Sequence, residues 1–252
     1  MKILVGNTGL IGKTLQESDH FVGINTSNIN QYGGLVENGD ELYLSCLPAA
    51  KWVVNQRLGI DIENINSIMR SLSMRRYSKI VLFSTIDVYS ESPVGVNENF
   101  IPTVSKLSYG GNRYLFELYV RSLLKTDDLK IFRLPALYNK HIKKNILFDL
   151  INNNNADQIN LNSAYQWYNL DKLYSDVIKY SKNYPDKTVF NLFPEPIETR
   201  DIVSLFPQYN LTLSANRVEY MYATKYSATP YTMSRQDSFE DIKKFVNEII
   251  SK

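Results

Sequence analysis

Short apolar runs alternate along this chain with segments that have the period of an amphipathic helix. The apolar runs predict strands at Lys2–Val5, Phe21–Ile24, Leu42–Cys46, Ile80–Ser84, Leu129–Leu134 and Thr188–Leu192. The periodic segments predict helices at Leu10–Glu17, Ile60–Ser73, Tyr109–Lys125, Asn145–Ile151, Leu170–Lys182 and Phe239–Ile250. Buried strands separated by helices are typical of an α/β protein with a doubly wound parallel sheet.

The alternation weakens in two places, and these set the expected domain limits. The segment Asn25–Glu41 is rich in Asn and Gly and shows no clear helix. The strand–helix unit expected between the second and third strands is therefore shortened. From Lys140 onward the strand signal thins and aromatic residues accumulate. We therefore expect residues 1–139, with 164–193 contributing back, to form the main domain. Residues 140–163 and 194–252 are expected to form a small lobe.

Two polar residues are predicted to cap helices. Ser238 precedes the last predicted helix and Asp241 follows three residues later, a pattern typical of a helix N-terminus. Asp171 lies at the beginning of the helix predicted from Leu170 and is expected to cap it.

Three glycines, Gly6, Gly9 and Gly12, follow the first predicted strand at a spacing of three. Glycine in such a turn permits a positive φ, lets the backbone approach a phosphate, and lets the next helix pack close to the sheet. The N–H groups at the start of that helix attract anions. The pattern predicts a dinucleotide-binding turn, and a purely structural strand–helix turn is the alternative.

Composition and charge narrow the classes of function. The net charge is +2 with acids and bases mixed along the chain, so no basic face for nucleic acid is expected. No stretch approaches the roughly 20 apolar residues of a membrane span, and the N-terminus resembles no signal peptide, so we expect a cytoplasmic protein. Cys46 is the only cysteine and His20 and His141 lie far apart, so neither a disulfide nor a metal site is expected.

A set of motifs resembles the extended short-chain dehydrogenase/reductases. Besides the glycines, the fourth strand ends in Ser84–Tyr89, a later helix begins at Tyr109, and the fifth strand runs into Arg133–Tyr138. Over roughly residues 1–195 the chain is similar to the NAD-dependent epimerase/dehydratase group, which modifies nucleotide sugars. The resemblance implies a Rossmann-type doubly wound parallel sheet with a small C-terminal substrate-binding lobe. It also implies an NAD(P)-dependent oxidoreductase or epimerase.

The resemblance assigns four catalytic residues. Tyr109 takes the position of the phenol that moves a proton during hydride exchange, and Thr85 that of the hydroxyl that binds the reacting oxygen. A phenol with a pKa of about 10 is a poor base, so the site needs a nearby positive charge. The family places a lysine four residues after the tyrosine; this chain has Arg113, which keeps the charge but differs in shape. Asp87 stands where dehydratases carry a proton-moving acid.

Simpler interpretations of these residues stay open. Tyr109 is one of 18 tyrosines. The Thr85 hydroxyl is also suited to capping a strand end, and Asp87 to being a solvated carboxylate. Lys51, in the segment after the third strand, is compatible with a plain solvated charge.

The resemblance also implies the residues that bind cofactor and substrate. The predicted cofactor-binding residues are Gly6, Thr8, Gly9, Leu10, Ile11, Gly12, Asn25, Thr26, Ser27, Leu47, Pro48, Ala49, Tyr109, Arg113, Leu134 and Pro135. The predicted substrate-binding residues are Thr85, Asp87, Asn145 and Gln166, the last in place of a family arginine. The end of the second strand offers neither an acid for a ribose nor an arginine for a 2′-phosphate, so the cofactor is NAD or NADP, with a slight preference for NADP.

Three functions remain open at this point. The first is hydride exchange on a nucleotide-linked sugar, as in an epimerase. The second is an NADPH-dependent 4-keto-sugar reductase, which needs no proton shuttle beyond Tyr109. The third is a dinucleotide sensor or scaffold with weakened catalysis, suggested by Arg113 and the shortened Asn25–Glu41 segment.

The expected partner is a small molecule. The Tyr114–Val120 run is suited to a homodimer interface and equally suited to the core.

Overall fold

The computed structural model describes residues 1–29, 36–209, 211 and 217–251, so residues 30–35 of the Asn25–Glu41 segment lie outside the described residues. The chain divides into two compact units, which are described separately. Unit 1 comprises Met1–Pro93, Phe100–Arg133 and Leu173–Phe190. Unit 2 comprises Val94–Asn99, Leu134–Lys172 and Asn191–Lys252.

Strands and helices alternate along the described chain. The strands are β1 (Lys2–Val5), β2 (Val22–Ile24), β3 (Glu41–Leu44), β4 (Lys79–Thr85), β5 (Leu129–Leu134), β6 (Ala136–Tyr138), β7 (Ala164–Tyr165), β8 (Trp167–Asn169), β9 (Val189–Asn191) and β10 (Ile197–Glu198). The helices are α1 (Leu10–Ser18), α2 (Lys51–Gln56), α3 (Leu58–Leu72), α4 (Tyr109–Leu123), α5 (Ile146–Asn152), α6 (Leu173–Asn183), α7 (Thr199–Val203) and α8 (Arg235–Ile250).

A six-stranded sheet with the order β2-β1-β3-β4-β5-β9 forms the centre of unit 1. β1 pairs in parallel with β2 on one side and with β3 on the other, and β3 pairs in parallel with β4. The predicted Rossmann-type α/β fold is confirmed. Because the chain order reverses direction between β1 and β3, the carboxyl ends of these two strands border the crevice where such sheets bind ligands.

The core of unit 1 is built from strand residues and from one apolar stripe on each covering helix. In α3 the buried stripe is Ile65, Ile68, Met69 and Leu72, at the spacing that one helix face requires. In α4, Phe116 and Val120 pack into the same cluster, whereas Leu118 is 40% exposed. Much of the Tyr114–Val120 run therefore serves the core, and a dimer through it stays a prediction.

Unit 2 has its own small sheets and its own core. β6 pairs in parallel with β8, and β7 pairs antiparallel with β10. The core includes Tyr138, Leu147, Trp167, Ile202 and Ile242. Residues 94–99, 134–139, 164–172 and 191–193 group with unit 2 rather than with the main domain that the sequence predicted. The pairing of β6 with β8 joins two of these segments.

Both predicted helix caps are wrong by a few residues. The last helix begins at Arg235, because the Ser234 hydroxyl accepts a hydrogen bond from the Asp237 N–H at 3.1 Å, and Ser238 is buried inside that helix. This Ser-x-x-Asp pattern lies one turn before the predicted one and has the same capping chemistry. At the other helix the Asn169 carboxamide oxygen accepts from the Asp171 N–H at 3.1 Å.

Within the described ranges, no helix has both the length and the apolar character that crossing a bilayer requires. The same residues bring together no cluster of three metal-ligating side chains.

Candidate functional site

The glycine turn after β1 is shaped by close backbone contacts. Gly6 has a φ of +93°, and a Cβ there would lie 2.4 Å from the carbonyl oxygen of Ser45, just after β3. At Gly12 a Cβ would lie 2.3 Å from the Gly6 carbonyl oxygen, so the helix packs directly on the turn. Both glycines are required by the fold itself.

Gly9 has no such internal requirement. Its φ is −73°, which any residue adopts, and a Cβ would meet only the Gly6 carbonyl oxygen at 3.5 Å, an ordinary contact. Gly9 and Thr8 are exposed, Leu10 and Ile11 are half-buried, and no side chain caps the N-terminus of α1. The first turn of α1 thus presents uncapped N–H groups beside a glycine that leaves room for an incoming group. These features fit a dinucleotide pyrophosphate.

The end of β2 is held by its own polar side chains. The Asn25 carboxamide oxygen accepts from the N–H and the hydroxyl of Ser27, and the Thr26 hydroxyl donates to the Cys46 carbonyl at 3.2 Å. No carboxylate or arginine follows β2 at residues 25–29. The predicted contacts of these three residues with an adenosine ribose stay predictions.

The segment after β3 reaches towards α4. Leu47 packs against the core of unit 1, while Pro48 and Ala49 are exposed. The Pro48 carbonyl accepts a hydrogen bond from the Arg113 guanidinium at 2.6 Å. The predicted cofactor loop is therefore tied to the helix that carries Tyr109.

Thr85 ends β4 and begins a 3₁₀ turn, Ile86–Tyr89. Its hydroxyl accepts from the Asp87 N–H at 3.2 Å and lies 3.3 Å from the Asp87 carboxylate. The Asp87 carboxylate also forms an ion pair with Lys51 at the start of α2, with Nζ and Oδ1 separated by 2.5 Å. The capping interpretation of Thr85 is thus correct, and Asp87 is paired with a cation rather than simply solvated.

The N-terminus of α4 packs directly on this turn. The Ser108 hydroxyl caps α4 by accepting from the Gly111 N–H at 3.0 Å. A Cβ on Gly110 would lie 2.0 Å from the Asp87 carbonyl oxygen, so only glycine permits this approach. The Tyr109 N–H donates to the Asn55 carboxamide oxygen at 2.9 Å. Thr85, Asp87 and Tyr109 therefore lie close together in unit 1.

Arg113 lies one turn after Tyr109 and is buried. Its guanidinium forms a forked pair with the Asp61 carboxylate of α3, at 2.7 and 3.2 Å, in addition to its bond to Pro48. The guanidinium carbon lies 4.5 Å from the centroid of the Tyr109 ring. Arg113 thus stacks on the phenol ring while its charge is balanced by Asp61, and its predicted contact with a cofactor ribose stays a prediction.

The surroundings of the Tyr109 phenol shift its pKa upwards. Burial raises its pKa above the ordinary value of 10.0, and the Asp87 carboxylate raises it further. The charges of Arg113 and Lys51 act in the opposite direction but do not outweigh burial. The raised pKa favours the protonated phenol, the form that can donate a proton.

A second buried ion pair contacts β4, the strand that ends at Thr85. Arg133 of β5 and Glu117 of α4 form two hydrogen bonds, at 2.9 and 2.6 Å, with both side chains at most 3% exposed. The Ser84 hydroxyl donates to Glu117 at 2.6 Å, and Arg133 donates to the Tyr89 hydroxyl. This network joins β4, the 3₁₀ turn, α4 and β5.

The other predicted site residues lie in unit 2. Asn145 caps α5 from a φ of +115°, a strained value for a residue with a side chain, and its carboxamide also donates to the Leu137 carbonyl at 2.8 Å. The Gln166 carboxamide donates to the carbonyls of Pro194 and Tyr222 and accepts from the Tyr222 N–H. Both Gln166 donors are therefore used inside unit 2.

Two further predicted residues, Leu134 and Pro135, belong to unit 2. Leu134 is the last residue of β5, Pro135 joins β5 to β6, and both are buried. Their predicted contacts with a cofactor, and those of Asn145 and Gln166 with a substrate, stay predictions.

Two residues of the site were not identified from the sequence. Asp61 shares the buried stripe of α3 with Ile65, and an acid on an apolar stripe indicates a buried cationic partner, so a signal was present. Asn55 carried no comparable signal, because any exposed helix position accepts an asparagine.

No family model matches this chain, and no curated protein matches it in sequence. Solved structures match its fold over almost the whole length. A UDP-galactose 4-epimerase has a TM-score of 0.75 at 14% identity, covering 100% of this chain and 99% of that one. A UDP-glucuronic acid 4-epimerase from Bacillus cereus in complex with UDP-glucuronic acid and NAD has 0.69 at 17%, covering 99% and 100%. A dTDP-4-dehydrorhamnose reductase from Yersinia enterocolitica has 0.70 at 14%, covering 98% and 99%. The predicted resemblance is confirmed for the fold.

Proposed function

We propose that this chain is an NAD(P)-dependent enzyme that exchanges a hydride with a nucleotide-linked sugar. The observation that carries the proposal is the direct packing of the Tyr109 helix on the Thr85 turn, in the same unit as the glycine turn. The fold is shared with an epimerase structure that contains NAD and a UDP-sugar, which supports the choice of cofactor and substrate class.

In the proposed reaction, different residues of unit 1 bind the dinucleotide, position the reacting oxygen and transfer the proton. The turn Gly6–Gly12 holds the pyrophosphate of the dinucleotide by backbone N–H groups, with Gly9 leaving room for it. When bound, the nicotinamide supplies hydride transfer to or from the substrate carbon. Thr85 donates a hydrogen bond to the reacting oxygen, in place of its long contact with Asp87. Tyr109 gives a proton to that oxygen or takes one from it.

A second candidate is the 4-keto-sugar reductase. Reduction of a ketone needs a proton donor, and burial raises the pKa of the Tyr109 phenol, which favours its protonated form. Asp87, the position of the extra acid in dehydratases, is paired with Lys51 and is less suited to removing a substrate proton. These observations favour net reduction over dehydration.

The test combines dinucleotide binding with turnover on a panel of UDP- and dTDP-linked sugars and 4-keto-sugars. We expect calorimetric binding of NAD or NADP, and loss of turnover by at least about 100-fold in Tyr109→Phe, with dinucleotide affinity retained. Tyr231→Phe is the matched control, because Tyr231 has an arginine four residues later but lies in unit 2. Absence of binding to either dinucleotide, or full activity of Tyr109→Phe, contradicts the proposal.

The same panel separates the two candidates. Stoichiometric oxidation of NADPH by a 4-keto-sugar identifies the reductase, whereas interconversion of two sugars without net cofactor change identifies the epimerase.

A further inference from the structure

The guanidinium of Arg113, 4.5 Å from the centroid of the Tyr109 ring, belongs to a buried ion pair. Arg113 is 5% exposed and Asp61 is 3% exposed, and the two form a forked ion pair with no net charge. The guanidinium is also tied to the Pro48 carbonyl. A cation with three such bonds in the interior is fixed in position, so Arg113 supplies a constant field rather than an adjustable one.

A second cation reaches the same site from a different helix. Lys51 and Asn55 are four residues apart on α2 and share one face of it. Asn55 accepts from the Tyr109 N–H, and Lys51 forms its ion pair with Asp87, so this face lies against both the N-terminus of α4 and the Thr85 turn. The Lys51 side chain is 46% exposed and Asp87 is 13% exposed, so this pair is accessible to solvent.

We propose that Lys51 is a positioning residue of the acid/base site: its charge, held by Asp87 beside the N-terminus of α4, adds an adjustable field at Tyr109 to the constant field of the Arg113–Asp61 pair. The inference rests on the proposed function, in which Tyr109 moves the proton. The charges that act on the Tyr109 phenol are those of Arg113 on its own helix, Asp87 on the 3₁₀ turn and Lys51 on α2; Asp61 on α3 balances Arg113.

The direction in which each substitution shifts the pKa of Tyr109 follows from the charge that it removes. A cation near a phenol stabilises the phenolate, so removing the Lys51 charge raises the pKa of Tyr109. Removing the Asp87 charge removes a carboxylate that itself raises the pKa of Tyr109 and leaves the Lys51 cation uncompensated, so that pKa falls. A role of Lys51 confined to holding α2 in place predicts no rise of the Tyr109 pKa in Lys51→Met, so this variant decides the question.

The experiment measures the Tyr109 phenol directly in the protein without ligand. The chain is labelled with ¹³Cζ-tyrosine, Tyr109→Phe assigns the signal, and the pH at which phenolate first appears is compared among variants. We expect the onset to fall by about 0.5 unit or more in Asp87→Asn, to rise or leave the accessible range in Lys51→Met, and to be restored in Lys51→Arg. Lys244→Met, at an exposed position of α8, is the charge control and leaves the onset unchanged.

The pH dependence of kcat in the reaction identified for the wild-type protein is the second readout. The limb assigned to Tyr109 should move in the same direction as the phenolate onset in each variant. If Lys51→Met folds and leaves the onset within about 0.2 unit of wild type, or lowers it, the inference about Lys51 is wrong, whatever the onset in Asp87→Asn. Failure of the proposed function is seen separately, as absence of dinucleotide binding, because the phenol titration needs no ligand.

Discussion

Three glycines at equal spacing are present for three different reasons. Gly6 provides a positive φ, Gly12 lets a helix approach a carbonyl oxygen, and Gly9 satisfies no need of the chain itself. A residue that the fold does not require, at the uncapped start of a helix, supports the proposed binding of a dinucleotide there.

Substituting these glycines separates binding from stability. Gly9→Ala should leave the free energy of unfolding within about 0.5 kcal/mol and weaken dinucleotide binding at least tenfold, because its Cβ has space until the ligand arrives. Gly12→Ala should cost about 1–3 kcal/mol, because its Cβ meets backbone that cannot yield. Urea unfolding and calorimetry measure the two quantities.

Gly59→Ala on α3 is the control for that comparison. A Cβ there meets nothing within 4 Å, so we expect a gain of about 0.4–1 kcal/mol and unchanged dinucleotide binding. Equal losses of affinity in Gly9→Ala and Gly59→Ala would show that Gly9 has no special relation to a ligand.

At the scale of elements, α4 is held to the sheet by a buried ion pair as well as by apolar contacts. Glu117 is 0% exposed, and both of its carboxylate oxygens accept from Arg133. Such a pair adds little net stability compared with apolar residues of the same size, but loss of one partner leaves a buried charge uncompensated. The pair therefore fixes the position of α4 relative to β5 and to the 3₁₀ turn after β4.

Glu117→Gln should destabilise the protein by about 3–5 kcal/mol, because it leaves the Arg133 charge buried without its partner. The matched control is Glu63→Gln at an exposed position of α3, which should change stability by at most about 0.5 kcal/mol. Urea unfolding at neutral pH makes the comparison. A Glu117→Gln variant as stable as the control would mean that the pair is easily replaced by neutral hydrogen bonds.

At the scale of the whole molecule, the two units each have a core, and each has polar clusters of its own. In unit 2 the Asp241 carboxylate accepts from Lys172 at 2.6 Å, from Tyr138 at 3.1 Å and from Asn169 at 3.2 Å. Burial raises the pKa of Asp241, but these donors outweigh burial and hold the pKa below its ordinary value of 3.8.

This shift predicts a loss of stability in acid. A carboxyl with a lower pKa in the folded than in the unfolded state contributes stability above the unfolded pKa, and that contribution disappears as pH falls through the folded pKa. The stability difference between wild type and Asp241→Asn should therefore be largest near pH 6 and shrink below about pH 4. Urea midpoints across this range measure it, with the exposed Asp157→Asn as control. A difference that stays constant with pH would exclude a role for Asp241 ionisation.

The sequence by itself determined the architecture and the two loops that carry the proposed chemistry. Strand–helix alternation predicts a parallel sheet, and three spaced glycines predict the turn after β1, because both depend on local spacing and on backbone sterics. Thr85 and Tyr109 were predicted as site residues by the resemblance to the short-chain dehydrogenase/reductases, and their roles stay predictions.

Only the tertiary structure decided the partners of the charged residues. Asp61 meets Arg113 across 52 residues and Lys51 meets Asp87 across 36, and no local pattern specifies such a pair. Charges act through space and their effect depends on burial, so burial raises the pKa of the Tyr109 phenol even beside a guanidinium. The choice between Ser234 and Ser238 as helix cap was likewise made by packing, because either serine satisfies the same local chemistry.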